Sequence, residues 1–333
     1  MQEFICQFAI GSTLDATLNF ESMPFTKSCY GYSLVELMIA ASLGVLLVAS
    51  VVAVVTNATL VSNRIEQASE IAENAQFLTR LLKYELSLAG FYGEMDFTVD
   101  SNADKPDICE ALSIADAVNA LSYPLDGMNA VAEGESFCGG EILLPGSDVL
   151  LIRRSLLAER SPRRRLQAQQ HYIQTSINDF RLSLGSKPAD FSLLEIGGAV
   201  PLPIRVWQQT VYYVSHDNVF KRRRFLKGRY APAEPLAEGV MDFQLMYGIY
   251  SNQRRTEFLG FPTSNQQWQD LRAVRFYFLL ASTGRLAGGS SHRVFHYAGK
   301  TQQVPDDRPY DLFTGISMLN NMAPKIVEFN LAP

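Results

Sequence analysis

Histidines, cysteines and carboxylates are the side chains with which this chain could do chemistry, and their spacing is unhelpful to most reactions. His292 and His296 stand four apart in His292-Arg293-Val294-Phe295-His296, a spacing that on a helix would turn two imidazoles to one face. The flanking Gly288-Gly289 and Tyr297-Ala298-Gly299 read instead as strand or loop. In a strand the two rings would share a face but lie about 13 Å apart. No HExxH pattern accompanies them, nor does either of the other histidines, His171 and His216. The four cysteines, Cys6, Cys29, Cys109 and Cys138, form no CxxC, so the spacing supports neither a zinc ribbon nor a thioredoxin-like site. GxSxG, Walker and dinucleotide fingerprints are missing, and Asp306-Asp307 in a Pro-flanked loop reads as solvated surface. The expectation is a protein that is not an enzyme, with no cofactor and no metal. Only a convergent polar pocket would revive a membrane-tethered enzyme.

Basic residues cluster at Arg153-Arg154, Arg163-Arg164-Arg165, Lys221-Arg222-Arg223-Arg224 and Arg254-Arg255. Such clusters can hold phosphate without sequence preference, or they can be solvated edges and ion pairs. The Asp and Glu residues near them favour ion pairs. The net charge of -5 also argues against a chain built to coat nucleic acid.

The elements that must position these residues begin with a membrane-length run. From Leu37 to Val55 nothing is charged, and only Ser42, Gly44 and Ser50 interrupt the apolar side chains. As a helix the run is about 28 Å long, the thickness of bilayer hydrocarbon. A buried core helix is the alternative, and the length and uniformity weigh against it. No small-residue cleavage site follows Val55, so the segment reads as a retained anchor. Glu36 stands at its edge. Near the interface a carboxylate merely marks the membrane surface; buried in an assembly it needs a cationic partner.

Beyond Val55 the pattern becomes amphipathic. Leu60, Ile65, Ile71, Phe77, Leu78, Leu81, Leu82 and Leu86 recur at intervals near three, four and seven, and Asn63, Arg64, Glu66, Glu70, Glu73, Asn74, Arg80 and Lys83 fill much of the other face. With no proline between Tyr32 and Phe91 and a stop signal at Gly90, one helix of roughly 80 Å is expected from about Ser33 to about Ala89. The heptad is too brief for a coiled coil. From Tyr92 onward the period shifts toward two. Strands are expected at Asp148–Arg153, Val206–Val214, Asn218–Arg222, Val240–Tyr247, Ala273–Leu280 and Ile326–Phe329, with a hairpin turn at Ser215-His216-Asp217. No comparable helix intervenes, which argues against a parallel sheet. The fold class is α+β: a long N-terminal helix, membrane-spanning in its first half, packed on an antiparallel β-sheet with long loop insertions.

Lys27-Ser28-Cys29-Tyr30-Gly31 followed by Tyr32-Ser33-Leu34-Val35-Glu36-Leu37 resembles the processing site of a type IV prepilin (class III). The resemblance implies that prepilin peptidase cleaves between Gly31 and Tyr32 and N-methylates Tyr32. It also implies that Glu36, fifth residue of the mature chain, sets assembly register by pairing with the N-terminal amine of a neighbouring subunit. Tyr32 stands where the family most often has Phe or Met. Residues 1–22 hold Glu3, Asp15 and Glu21 and no Lys or Arg, whereas a start at Met23 gives a short leader of the usual basic kind, so translation is expected to begin there. The order of Gly90-Phe91-Tyr92-Gly93, Gly146-Ser147-Asp148-Val149-Leu150, Tyr212-Tyr213-Val214, Pro235-Leu236-Ala237-Glu238-Gly239-Val240, Phe243-Gln244, Tyr247-Gly248 and Leu271-Arg272-Ala273-Val274-Arg275 resembles the PilW type of minor pilin. The pseudopilin J subunit of type II secretion is related and is one alternative; a DNA-binding pilin of a competence system is another.

The resemblance implies a pilin-like organisation: a leader over 1–31, a transmembrane and assembly half of the helix over 32–56, an amphipathic half over 57–90, and a periplasmic β-rich domain over 91–333 with an insertion at 105–147. Its implied partners are prepilin peptidase, the inner-membrane assembly platform, other minor pilins, the major pilin and a tip adhesin; nucleic acid is not expected among them. The chain would sit in the inner membrane and then near the tip of an extracellular pilus. The implied orientation places Cys109 and Cys138 in the oxidising periplasm, where a disulfide between them would close a loop of about 30 residues, for roughly 3–4 kcal/mol.

Overall fold

The computed structural model describes residues 32–94, 105–109, 112–156, 166–195, 197–198, 200–250, 256–284 and 292–322. The chain divides into two compact units, Met1–Leu60 and Val61–Pro333. A single helix, α1 (Leu34–Ser87), supplies the described structure of the first unit and the opening of the second.

In the first unit the helix is apolar on all sides. Its hydroxyls are satisfied internally: Ser42 donates to the Ile39 carbonyl at 2.9 Å and Ser50 to Leu47 at 2.7 Å, while Thr56 reaches Val52 at 2.9 Å and Thr59 reaches Val55 at 2.8 Å. No polar side chain between Leu37 and Thr59 other than Asn57 therefore needs water, which is what a hydrocarbon environment requires. By length and composition this helix can cross a membrane, with a stretch of mean hydropathy 2.7.

The second unit opens with the amphipathic part of α1. Ile71, Ala75, Leu78, Leu82 and Leu86 are buried in one core with Leu150, Tyr212, Phe220, Phe243, Phe276 and Phe278. The buried positions step by four, three, four and four, one stripe of a helix. Phe77, read from the sequence as part of that stripe, is 43% exposed, and Leu60 and Ile65 are exposed too. Phe77 sits about 100° around the helix from Leu78, so only one of the two adjacent side chains can face the sheets. The small Ala75 takes the place that leucine-spotting overlooks. A turn after Ser87 closes the helix at Gly90, whose φ of +75 favours glycine. Asn321 caps the last turn, donating to the carbonyls of Ser87 at 2.9 Å and Ala89 at 3.3 Å.

After α2 (Ile114–Ala120) the chain is mostly strand: β1 (Leu125–Met128), β2 (Val149–Ser155), β3 (His171–Thr175), β4 (Phe180–Leu184), β5 (Ile204–Val214), β6 (Phe220–Leu226), β7 (Arg229–Tyr230), β8 (Glu234–Ala237), β9 (Val240–Tyr250), β10 (Thr256–Leu259), β11 (Leu271–Ala281), β12 (His292–Tyr297), β13 (Lys300–Pro305) and β14 (Tyr310–Met318), with α3 (Asn265–Gln269) before β11. One sheet runs β1-β2-β5-β3-β4, with β6 on β5 and β7 and β8 on β6; a second runs β10-β9-β11-β14; β12 and β13 form a separate hairpin. Every pairing is antiparallel. The α+β architecture and the β5–β6 hairpin expected from the sequence are observed. Phe220, Phe243 and Phe278 meet at centroid distances of 4.9–5.2 Å and join the two sheets beneath α1. The strand expected at 326–329 lies outside the described residues.

Residues 112–137, between Cys109 and Cys138, show no core pattern in the sequence and are folded. Ser113 and Asp116 form a reciprocal capping box on α2, and Tyr123, Leu125, Val131 and Phe137 are buried. Their elements are too short, and too often broken by Pro124, Gly127 and Gly134, to display a period.

Candidate functional site

The N-terminal segment is built to be covered. Tyr32 is 84% exposed, and the apolar side chains from Leu34 to Val55 lie open, Leu34 at 74% and Val52 still at 54%. An apolar surface of this extent exceeds what a soluble protein leaves to water. Glu36 occupies the first turn of α1, where unpaired helical N–H groups favour a carboxylate, and it too is exposed. Gly31 lies outside the described residues.

The packed half of α1 is fixed by an ion pair that sequence reading missed. Glu85, 6% exposed, receives two parallel hydrogen bonds from Arg154 of β2, Nε to Oε2 at 3.0 Å and Nη2 to Oε1 at 3.1 Å. The signal was present in the sequence: a carboxylate between Leu82 and Leu86 of the buried stripe. Next to it Arg153, fully buried, donates to Gln209 at 2.7 Å and to the Tyr123 carbonyl at 2.7 Å, with Asp126 at 3.6 Å. Asp126 also receives Lys105 at 2.6 Å. Gln209 and Tyr230 continue this network, and the Tyr230 hydroxyl donates to the Ile108 carbonyl at 2.8 Å, one residue from Cys109. Cys109 and Cys138 are joined as a disulfide, Cα to Cα 4.9 Å.

A second polar cluster ties three segments together. Asp242 of β9 receives Ser147 at 3.0 Å, Gln244 at 2.9 Å, the Tyr297 hydroxyl at 2.6 Å and Lys300 at 2.8 Å. Asp148 accepts the Ala130 and Leu245 amides at 2.9 and 2.7 Å. Burial pushes the Asp148 carboxyl up to about 6, with Asp242 adding to the shift and the two amides and Lys300 opposing it. The folded state thus holds this proton more tightly than the unfolded chain, whose carboxyl titrates near 3.9. The resulting stability is present in full below about pH 4 and is lost as pH rises through about 6. Between about pH 4 and pH 7 the native chain is therefore expected to lose up to ~3 kcal/mol relative to Asp148→Asn, read from urea midpoints of both at the two pH values. A difference independent of pH would contradict this origin.

Among the described residues the basic clusters are largely committed within the domain. Arg153 and Arg154 are paired as above. Lys221 meets Glu141 and Asp217, and Arg222 and Arg224 share Glu234. Those hydrogen bonds, the one from Arg224 foremost, hold the Glu234 carboxyl below its ordinary range. Arg163-Arg164-Arg165 and Arg254-Arg255 lie outside the described residues. His292 and His296 are exposed on β12, and His296 Nδ1 lies 3.0 Å from the Thr301 hydroxyl. His171 is buried, with its ring 5.8 Å from that of Trp207 and 5.9 Å from that of Phe225. Among the described residues no group of His, Cys, Asp and Glu is arranged to hold a metal ion.

The family model described as PilW, type IV pilus-assembly protein W, matches residues 211–321, from the second half of β5 through β14. No curated protein matches the chain. A type IV-like pilin from Thermus thermophilus is similar at 13% identity and a TM-score of 0.34, over 76% of this chain and 97% of that one. Residues 211–321 thus match the family described as type IV pilus-assembly protein W, in agreement over that span with the PilW-type minor-pilin resemblance read from the order of sequence motifs.

Proposed function

We propose that this chain is a minor pilin, cut by prepilin peptidase between Gly31 and Tyr32, that co-assembles with other minor pilins and primes a type IV pilus near its tip. The observation that carries the proposal is α1. Its first part exposes apolar side chains throughout, and its last part is buried under antiparallel sheets. A helix of that kind needs lipid before assembly and other helices after it. The match over 211–321 supports the same system. Tyr32 becomes the methylated N-terminus, and Glu36 meets the corresponding amine of a neighbour. The inner membrane holds the chain before assembly, with Cys109 and Cys138 linked in the periplasm.

The test is co-purification. The full chain, extracted from membranes of the producing cell, is expected to bring down other minor pilins together with the major pilin, and unreduced peptide maps of that preparation to contain Cys109 linked to Cys138. Recovery with the pseudopilins of a secretion system, or two free thiols, would contradict the respective parts.

A further inference from the structure

One titratable side chain stands inside an apolar core. His171 of β3 is 2% exposed. Its ring lies against those of Trp207 on β5 and Phe225 on β6, with centroids 5.8 and 5.9 Å apart. Trp207 and Phe225, with Ile173 and Leu182, share one buried cluster with Leu112, Ala117, Ala120 and Leu121 of the α2 segment. Among the described residues neither ring nitrogen of His171 completes a hydrogen bond of normal geometry. The Leu112 carbonyl interacts with the imidazole and favours its proton, but burial outweighs it and pushes the group below its ordinary range.

No neighbouring charge offsets this burial. The charged side chains of the described elements around His171 are spent elsewhere. Asp116 of α2 accepts the Ser113 amide at 2.9 Å. Arg181 of β4 meets Asp179 at 2.7 Å, and Arg205 of β5 lies over the Phe91 ring at 5.6 Å. On β6, Lys221 meets Glu141, Arg222 and Arg224 meet Glu234, and Arg223 lies over the Phe137 and Tyr230 rings, 5.7 Å from each. The phenols of Tyr92 and Tyr230 are pushed up by burial and stay neutral. A proton placed on the imidazole is therefore a buried charge without a partner until water reaches it.

We infer that His171 is an acid-sensitive latch: proton uptake on its imidazole lifts residues 112–121, the α2 segment, off β3, β5 and β6. The Cys109–Cys138 disulfide before the segment and buried Tyr123 after it keep it attached to the domain. In the lifted state the imidazole meets water and titrates near 6.5; in the seated state it titrates lower. The seated state thus binds fewer protons. It is at full strength above about pH 6.5 and weakens as pH falls toward the depressed value, by up to about tenfold in its equilibrium constant per pH unit. Lifting uncovers Trp207, Phe225 and Ile173.

The two nearest acidic groups with shifted titrations leave that window clear. Hydrogen bonds with Ser113 hold the Asp116 carboxyl below its ordinary range, so its support of α2 is present above about pH 4 and is lost only below it. Asp148 acts in the opposite sense, stabilising the fold toward acid, and it does so through Ala130 and Leu245.

The test is hydrogen exchange of the full detergent-extracted chain at pH 7 and pH 5, corrected for intrinsic rates. Residues 112–121 are expected to lose protection by on the order of tenfold at pH 5, while residues 71–86 of α1 keep theirs. His171→Phe, which keeps a ring and removes the titration, is expected to abolish the difference. The native chain supplies an independent readout should that variant not fold: exchange of the imidazole C2 hydrogen, read by mass over the same pH range, is expected to place the His171 titration below about 6.5. Equal protection of 112–121 at both pH values, a loss shared equally by α1, a loss that persists in His171→Phe, or a His171 that titrates at the ordinary value would each overturn the latch.

Discussion

Glu36→Ala is expected to enter the membrane and be cleaved normally, yet to recover partner minor pilins at a level lower by on the order of 100-fold. Packing of the N-terminal helices excludes water, and an ionised group carried into that environment must be paired. Removing one member of a buried pair costs about 3–5 kcal/mol, because the other charge remains without compensation. Under the proposed function the charge left behind is the neighbour's methylated amine. Insertion is spared because Glu36 lies at the first turn of α1, at the edge of the apolar run, where a carboxylate costs little. The measurement is pull-down of minor pilins from membranes expressing the variant beside the native chain. Undiminished recovery with normal pilus number would return Glu36 to the role of a surface charge. Under the proposed function, a carboxylate at this position also places the chain below the tip, where a subunit above it has an amine to neutralise.

Glu85→Ala is expected to destabilise the sheet-bearing second unit by about 3–5 kcal/mol. Glu85 and Arg154 have side chains only 8% and 11% exposed and are 69 residues apart, so their two hydrogen bonds hold α1 in register on β2. Truncating Glu85 leaves the largely buried Arg154 guanidinium without its carboxylate. The double substitution Glu85→Ala with Arg154→Met is expected to restore most of the loss, since it removes the unpaired charge and refills the volume. Urea unfolding of the detergent-extracted chain and its variants measures this. A single substitution costing under about 1 kcal/mol would mean that water reaches the pair and screens it.

What was legible in the sequence follows the range over which each feature is encoded. The apolar run of α1 is contiguous, and a helix that must satisfy lipid needs that composition at every position, so its nature can be read residue by residue. The buried stripe was legible at Leu78, Leu82 and Leu86, but the choice between Phe77 and Leu78 is made by the sheets and not by the helix. β5, β9 and β11 showed as strands because they are rich in β-branched and aromatic residues, and β6 through the turn at Ser215-His216-Asp217 that precedes it. β12 and β13 are short and polar, and they are held to the domain through Tyr297 and Lys300 on Asp242. The polar core was invisible for a related reason. Ser147 and Asp242 are 95 residues apart, and nothing local announces that two such side chains will meet. The expected processing motif is the opposite case in form: Gly31, Tyr32 and Glu36 stand at a fixed, local spacing.

The most direct measurement is the N-terminal sequence and intact mass of the chain recovered from membranes and from sheared pili. The expected mature chain begins at Tyr32, carries one methyl group on its amine and contains no residue before it, while a Gly31→Leu variant accumulates uncut and is missing from pili. A recovered chain that retains residues ahead of Tyr32, or a Gly31→Leu variant that is cut and assembled like the native one, would contradict the reading of this protein as a processed pilin.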